Sequence, residues 1–148
     1  MDNSRNKLIE ALSKVLADSY TLYLQTHNFH WNVTGPNFQS LHLLFEQQYT
    51  ELALAVDEIA ERIRTLGAVA PGTYSRFSAL TGIEEADGTI DAGEMLERLI
   101  AGQEQVVRSA GEAATLAEAA GDQATADLLI GRIAVHEKNA WMLRSSLP

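Results

Sequence analysis

The sequence predicts an all-α protein, a four-helix bundle in which one long crossover joins two helical hairpins. Apolar residues recur at helical spacing along most of the 148 residues, and no segment alternates polar and apolar residues as a strand would. Glycine and proline fall in clusters that divide the chain into four long segments. The chain is long enough to bury a core, so we expect one domain over residues 1–148.

The first helix is predicted to begin near Asn3 or Ser4, either of which can cap it. Leucine, valine and tyrosine recur every three or four residues until the helix ends within Trp31–Val33. Residues 32–37 (NVTGPN) predict a turn, because the glycine and the proline interrupt the helix. The first and second helices should therefore form a hairpin.

The second helix is capped by Asn37 and runs to about Leu66, where two glycines and a proline at positions 67–72 stop it. Residues 68–90 form a connection too long for a hairpin, which is typical of a crossover between distant bundle helices. Its middle, Ser75–Leu80, is predicted to be a short extra helix.

The third helix begins at Asp91, with Glu94 three residues later as a capping-box partner, and ends at Gly121. One side of this helix is rich in alanine, which permits a close approach by a neighbour. The fourth helix begins at Asp122 and runs to about Leu143. The order of elements is thus two helices, the crossover, and two helices.

Composition excludes several classes of function. There is no cysteine, which rules out disulfides, thiolate metal sites and a cysteine nucleophile. The net charge of −9 repels nucleic-acid phosphates, and neither end of the chain carries a basic run. The longest apolar run, Leu52–Val56, is far shorter than a membrane span, and the polar start MDNSRNK has no secretory h-region. We therefore expect a cytoplasmic protein that has no membrane partner.

Two pairs of metal-ligand residue types lie on the second helix. His42 and Glu46 form one pair and Asp57 and Glu61 form the other, each pair four residues apart on one face. Fifteen steps separate His42 from Asp57, roughly 22 Å of helix, which no single ion spans. The same steps return Asp57 to within roughly 60° of His42 around the axis. Two copies packed antiparallel about a two-fold axis near residues 51–52 would therefore bring each pair opposite the other.

A further histidine, His30, lies near the end of the first helix, and the turn can bring it close to His42. Imidazole and carboxylate without sulfur form a ligand set for iron, manganese or zinc. The predicted site is His30, His42 and Glu46 from one chain with Asp57 and Glu61 from another.

The residues of this site resemble a known family. The stretch His27–Tyr49 (HNFHWNVTGPNFQSLHLLFEQQY), followed by Asp57–Arg62 (DEIAER), closely resembles the Dps family of mini-ferritins. GDQATADLL and HEKNAWMLR near the end fit the last helix of that family. The resemblance implies a ferritin-like four-helix bundle that assembles as a hollow dodecamer. It implies iron as substrate, oxidised from Fe(II) to Fe(III) by hydrogen peroxide in preference to oxygen and stored as a mineral that spares DNA and cell from oxidative damage.

The resemblance also implies roles for residues outside the ligand set. Asp122 and Asp127 match acidic residues that line an iron-entry pore in the family, although Asp122 is equally well explained as a helix cap. Gly131 stands where some members carry a third acidic residue. Two neighbours of the ligands are judged from the sequence itself: His27 is better explained as an interface histidine than as a residue that supports the site, and Trp31, directly after His30, either takes up stray oxidising equivalents or packs at a helix end or dimer interface.

Two alternatives stay open at this point. Some Dps relatives bind and compact nucleoid DNA through lysine-rich tails, but the short tails here carry few lysines, so direct DNA binding is expected to be weak. Zinc can compete for a histidine and carboxylate site, and a structural oligomer that holds zinc without turnover is the second alternative. A di-iron site inside one bundle is disfavoured, since the chain contains no Glu-x-x-His motif. His136 is interpreted as structural.

Overall fold

The computed structural model describes residues 3–148, and these residues form helices and no strands. Within these residues every helix is too short or too polar to span a bilayer. The all-α prediction is confirmed, and the crossover carries the expected short helix. The five helices are α1 (Asn3–Asn32), α2 (Phe38–Thr65), α3 (Tyr74–Leu80), α4 (Ala92–Ala119) and α5 (Gln123–Ser145).

The four long helices pack as two hairpins, α1 with α2 and α4 with α5. Helix α1 also packs along α4, and α3 packs on α1. The seam between α2 and α5 is the least closely packed pair of neighbouring helices. The core falls into two apolar clusters, one of which includes Leu12, Ile63, Ala113 and Leu129 and the other Phe29, Phe45, Leu52, Met95 and Leu143.

Two helices end as their glycines predict. Gly67 follows α2 with a φ of 96°, and Gly121 follows α4 with a φ of 72°. In each case the backbone N–H of the residue after the glycine bonds a carbonyl five residues back, as Ala68 does to Ile63 at 3.2 Å. A side chain on either glycine would be strained in this left-handed conformation.

The helix starts match the prediction with two differences. Asp91 and Asp122 each accept a backbone N–H from the residue three positions on, so both act as N-caps. Asn37 stands at the N-cap of α2, but its side chain makes no capping hydrogen bond, because its backbone (φ −106°, ψ 21°) is not extended. The capping box of α4 is half formed, since the Glu94 carboxylate pairs with Arg98 at 3.5 Å.

Candidate metal centre

The turn between α1 and α2 brings the two predicted histidines together. Only residues 33–37 separate the helices, and Gly35 adopts a φ of 111° that lets the chain reverse there. His30 lies in the last turn of α1 and His42 in the second turn of α2. Their imidazole rings stack with centroids 3.8 Å apart and planes 12° from parallel.

Each histidine is held by the backbone of the other. Nδ1 of His30 lies 2.7 Å from the carbonyl oxygen of His42, and Nδ1 of His42 lies 2.7 Å from the carbonyl oxygen of His30. A carbonyl oxygen only accepts, so both Nδ1 atoms carry the proton and donate it. In a neutral imidazole the other nitrogen, Nε2, then keeps its lone pair, which is the state that binds a metal.

A carboxylate completes the group within one chain. Glu46, one turn after His42, places a carboxylate oxygen 3.8 Å from Nε2 of His30. Ligand atoms of all three side chains lie within 4.8 Å of one another, so they could hold one metal ion. His30 is buried, His42 is half-buried and Glu46 is exposed, so the group opens to the surface on its carboxylate side.

Aromatic side chains wall this group. The Phe38 ring stacks on His42 at 5.0 Å, an interaction that sequence reasoning missed although Phe38 lies four residues before His42 on the same face. On the other side the His27 ring stacks on Tyr49 with centroids 4.1 Å apart, and it contacts Trp31 at 4.0 Å with the ring planes tilted by 36°. Burial, and secondarily the neighbouring His30, lower the pKa of His27, which favours a neutral ring there.

Asp57 and Glu61 lie farther along α2 and do not join the histidines of their own chain. Helix α2 is continuous from Phe38 to Thr65, so the roughly 22 Å between His42 and Asp57 expected from the helical rise applies here. Both carboxylates are exposed. They are available to a second molecule, and their part in a shared site stays a prediction.

The two predicted pore residues differ in their surroundings. Asp122 caps α5 through the Thr125 N–H and hydroxyl, and it pairs with Arg62 at 3.2 Å. Partial burial alone would raise the pKa of Asp122, but these hydrogen bonds and the Arg62 charge hold it below its usual value. Asp127 is exposed and accepts a hydrogen bond from Gln123. Asp127 therefore has the freer carboxylate, and Gly131, one turn on, is also exposed.

The arrangement can bind a hard or borderline divalent ion and leave part of its coordination open. Two imidazole nitrogens and a carboxylate suit iron, manganese or zinc. Three ligands are too few to fill the coordination of iron, so further ligands from another molecule, water or an oxidant can bind.

The chain is similar to known proteins over most of its length. Residues 9–147 match the ferritin-like domain family. DNA protection during starvation protein 2 of Bacillus anthracis is 39% identical over 141 residues, which cover 95% of this chain and 97% of that protein.

Solved structures agree over nearly the full length. The Dps protein of Bacillus brevis superposes with a TM-score of 0.94 at 35% identity, covering 98% of this chain and 97% of that one. The Dps protein of Vibrio cholerae O1, described as a member of a broad superfamily of ferritin-like diiron-carboxylate proteins, gives 0.91 at 34% identity, with 96% and 89% covered.

Proposed function

This chain belongs to the ferritin-like family, in its Dps branch, and we propose that it is a ferroxidase and iron-storage protein. It oxidises Fe(II), with hydrogen peroxide in preference to oxygen, and stores the ferric mineral in a hollow homo-oligomer that spares DNA and cell from oxidative damage. The observation that carries the proposal is the reciprocal pair of histidine-to-carbonyl hydrogen bonds, which turns Nε2 of both His30 and His42 into metal donors.

The working site combines two copies of the chain about a two-fold axis. His30, His42 and Glu46 come from one copy, and Asp57 and Glu61 come from the other. Support comes from the single-chain geometry, in which the first three residues converge while the two exposed carboxylates lie on the same continuous helix. An isologous dimer then carries two identical sites.

The residues have separate tasks in the reaction. Carboxylates stabilise Fe(III) over Fe(II) and so favour oxidation, while the imidazoles hold the geometry and leave positions open for peroxide. Two Fe(II) ions give one electron each to hydrogen peroxide, whose O–O bond breaks, and two protons complete two waters. Because both electrons arrive together, no hydroxyl radical is released.

Substrate entry and assembly complete the proposal. We assign Asp127, rather than the helix cap Asp122, as the residue that attracts iron toward a pore. Asp122 is paired with Arg62, whereas the Asp127 carboxylate accepts a hydrogen bond from Gln123 and has no cationic partner among the described residues. Assembly as a dodecamer and a cytoplasmic location follow the family. Zinc, which has no redox chemistry, is expected to occupy the same ligands and inhibit oxidation.

Mixed assemblies test whether the site is shared. We expect His42→Ala and Asp57→Ala each to oxidise Fe(II) slowly, measured as ferric absorbance after anaerobic loading and addition of peroxide. The two mutants are then unfolded together in equal amounts and reassembled. Random pairing makes half of the dimers mixed, and each mixed dimer has one intact site. About a quarter of wild-type sites should therefore return.

The control is Glu58→Ala, an exposed carboxylate next to Asp57 on α2 but about 100° away around the helix. It should oxidise iron at the wild-type rate. If each mutant equals wild type, or if the mixture recovers nothing beyond the mean of its parents, the shared ferroxidase site is wrong.

A further inference from the structure

A second polar network crosses the bundle between α2, α4 and α5. Arg132 of α5 is 7% exposed and binds both carboxylate oxygens of Glu51 of α2, with Nη2 3.0 Å from Oε1. The same Nη2 lies 3.0 Å from Nε2 of His136, whose Nδ1 lies 2.6 Å from Oε1 of Gln103 on α4. Arg132 and His136 of α5 thus link α2, through Glu51, to α4, through Gln103.

The partners of His136 fix its protonation state. A guanidinium has only N–H donors, so the Nε2 that faces Arg132 must accept. Nδ1 then carries the proton and donates it to the side-chain oxygen of Gln103. Burial, and then the Arg132 charge, lower the pKa of His136 to about 3, so the ring is neutral at physiological pH. His136 therefore presents a lone pair to a cation.

His136 and Glu51 surround the guanidinium in the way that a histidine and a carboxylate surround a bound metal ion. A metal-ligating histidine points one nitrogen at the ion and donates its other N–H to an oxygen that fixes the ring, as Gln103 does here. Glu51 of α2 accepts hydrogen bonds from the Arg132 guanidinium with both carboxylate oxygens. Ferritin-like bundles that bind metal inside one subunit place glutamates and Glu-x-x-His motifs inward from their helices. In this chain a guanidinium stands among such donors.

We propose that Arg132 is a built-in cation that occupies a metal-type donor site inside the bundle and excludes divalent ions from it. Iron oxidation is thereby confined to the site between subunits, and this last step rests on the proposed function. Arginine stays charged in proteins, so Arg132 excludes divalent metal ions at any pH at which the protein is folded. The Glu51 side chain is 43% exposed, so solvent reaches the network, and exclusion comes from Arg132 rather than from burial.

Metal binding in a chain that lacks the intersubunit ligands tests the proposal. The background is His42→Ala with Asp57→Ala, and cobalt(II) is the probe, followed by its visible absorption and by equilibrium dialysis. Adding Arg132→Glu places a carboxylate four residues before His136 on the same face. We expect this chain to bind one cobalt ion more than the background, at least about tenfold tighter than any residual binding.

Two further variants separate a metal site from a structural ion pair. Arg132→Ala removes the cation and adds no ligand, so it should also gain cobalt, held by His136 and Glu51. Gln103→Leu in the Arg132→Glu chain removes the oxygen that orients His136 and should weaken cobalt binding by about 10–100-fold. A merely structural network would show neither the gain nor this dependence on Gln103.

Folding is followed by circular dichroism, so every result decides. A folded Arg132→Glu chain that binds no additional cobalt overturns the proposal. The proposal is also overturned if the background chain, which keeps Arg132, binds cobalt and His136→Gln abolishes that binding. If Arg132→Glu folds only when cobalt is present, the metal has replaced the guanidinium and the proposal stands; if it stays unfolded with cobalt, the proposal fails. Because the background lacks the intersubunit site, these results are independent of whether wild type oxidises iron.

Discussion

The chain contains two histidine clusters that orient their rings in the same way and face opposite charges. At the α1–α2 turn, His30 and His42 donate from Nδ1 to backbone carbonyls, and the charged neighbour of His30 Nε2 is the Glu46 carboxylate. Between α2 and α5, His136 donates from Nδ1 to Gln103, and its Nε2 faces the guanidinium of Arg132.

The comparison shows that imidazole orientation alone does not make a metal site. We call His30, His42 and Glu46 the turn cluster, and Arg132 and His136 with their partners Glu51 and Gln103 the bundle cluster. Both clusters offer a lone pair on Nε2, but only in the turn cluster must the positive charge come from an ion outside the chain. The bundle cluster contains its own cation and is completely buried at His136. We therefore expect the turn cluster to govern chemistry and the bundle cluster to govern folding.

The largest expected effect is on the rate of iron oxidation, tested with the same substitution in each cluster. His30→Gln removes a proposed ligand and should slow oxidation by peroxide by at least about 10–100-fold. His136→Gln should leave the rate within about twofold, because the bundle cluster binds no iron. Stopped-flow ferric absorbance measures both, and equal losses in the two variants would erase the distinction.

The second effect is on stability and has the opposite order. His136→Ala leaves a cavity and strips partners from Arg132 and Gln103 in a buried setting, so the free energy of unfolding should fall by about 3 kcal/mol. His42→Ala removes a half-buried ring and should lower it by about 1 kcal/mol. Urea unfolding of the metal-free proteins gives both values. A smaller loss for His136→Ala than for His42→Ala contradicts the assignment.

A third effect appears when pH is lowered. The pKa of His136 is about 3 in the folded chain, below the ordinary value of about 6.5 for an unfolded chain. The unfolded state therefore binds the extra proton first, so the His136 contribution is fully present above about pH 6.5. It is lost as pH falls toward 3, at up to about 1.4 kcal/mol per pH unit. His136→Gln should remove this part of the slope in urea unfolding between pH 6.5 and 4; an unchanged slope would show that other groups cause it.

The smallest effects separate Asp122 from Asp127. Asp122→Ala removes a helix cap and the Arg62 partner and should lower the free energy of unfolding by about 1 kcal/mol. Asp127→Asn should change stability by less than about 0.5 kcal/mol yet slow the growth of the ferric core while cobalt binding at the turn cluster stays intact. If core growth is unaltered by Asp127→Asn, this carboxylate does not guide iron.

Trp31→Phe examines the aromatic edge of the turn cluster. Trp31 is largely exposed and contacts the His27 ring beside the ligands, so we expect it to take up stray oxidising equivalents during turnover. Protein oxidation, read by mass spectrometry after iron and peroxide, should shift from position 31 to neighbouring residues in the variant. Identical damage in both proteins would make Trp31 a packing residue only.

Much of the fold could be predicted because its signals are local. Gly67 and Gly121 end helices, and Asp91 and Asp122 start them, through bonds to residues at most five positions away. The Asn37 cap was wrong in detail, because the tight α1–α2 turn holds its backbone away from the extended conformation that capping needs.

The candidate site was predictable in its residue types and less so in its chemistry. Convergence of His30 and His42 followed from a short turn between two helices. Which ring nitrogen is free could not be read from the sequence, since it depends on carbonyl oxygens 2.7 Å from each ring. Phe38 was missed because its stacking on His42 requires knowing the side-chain direction in the first turn of α2.

By itself the sequence determined the helices, their ends and the spacing of ligand pairs along α2, because periodicity and capping act over a few residues. Only the tertiary structure decided the partner of His136. Arg132 meets Glu51 across 81 residues of sequence and His136 meets Gln103 across 33. Such contacts depend on the spacing and rotation of packed helices, which no local pattern encodes. For this reason one histidine cluster was visible in the sequence, and the second emerged only when the packing of α2, α4 and α5 brought Glu51 to Arg132 and Gln103 to His136.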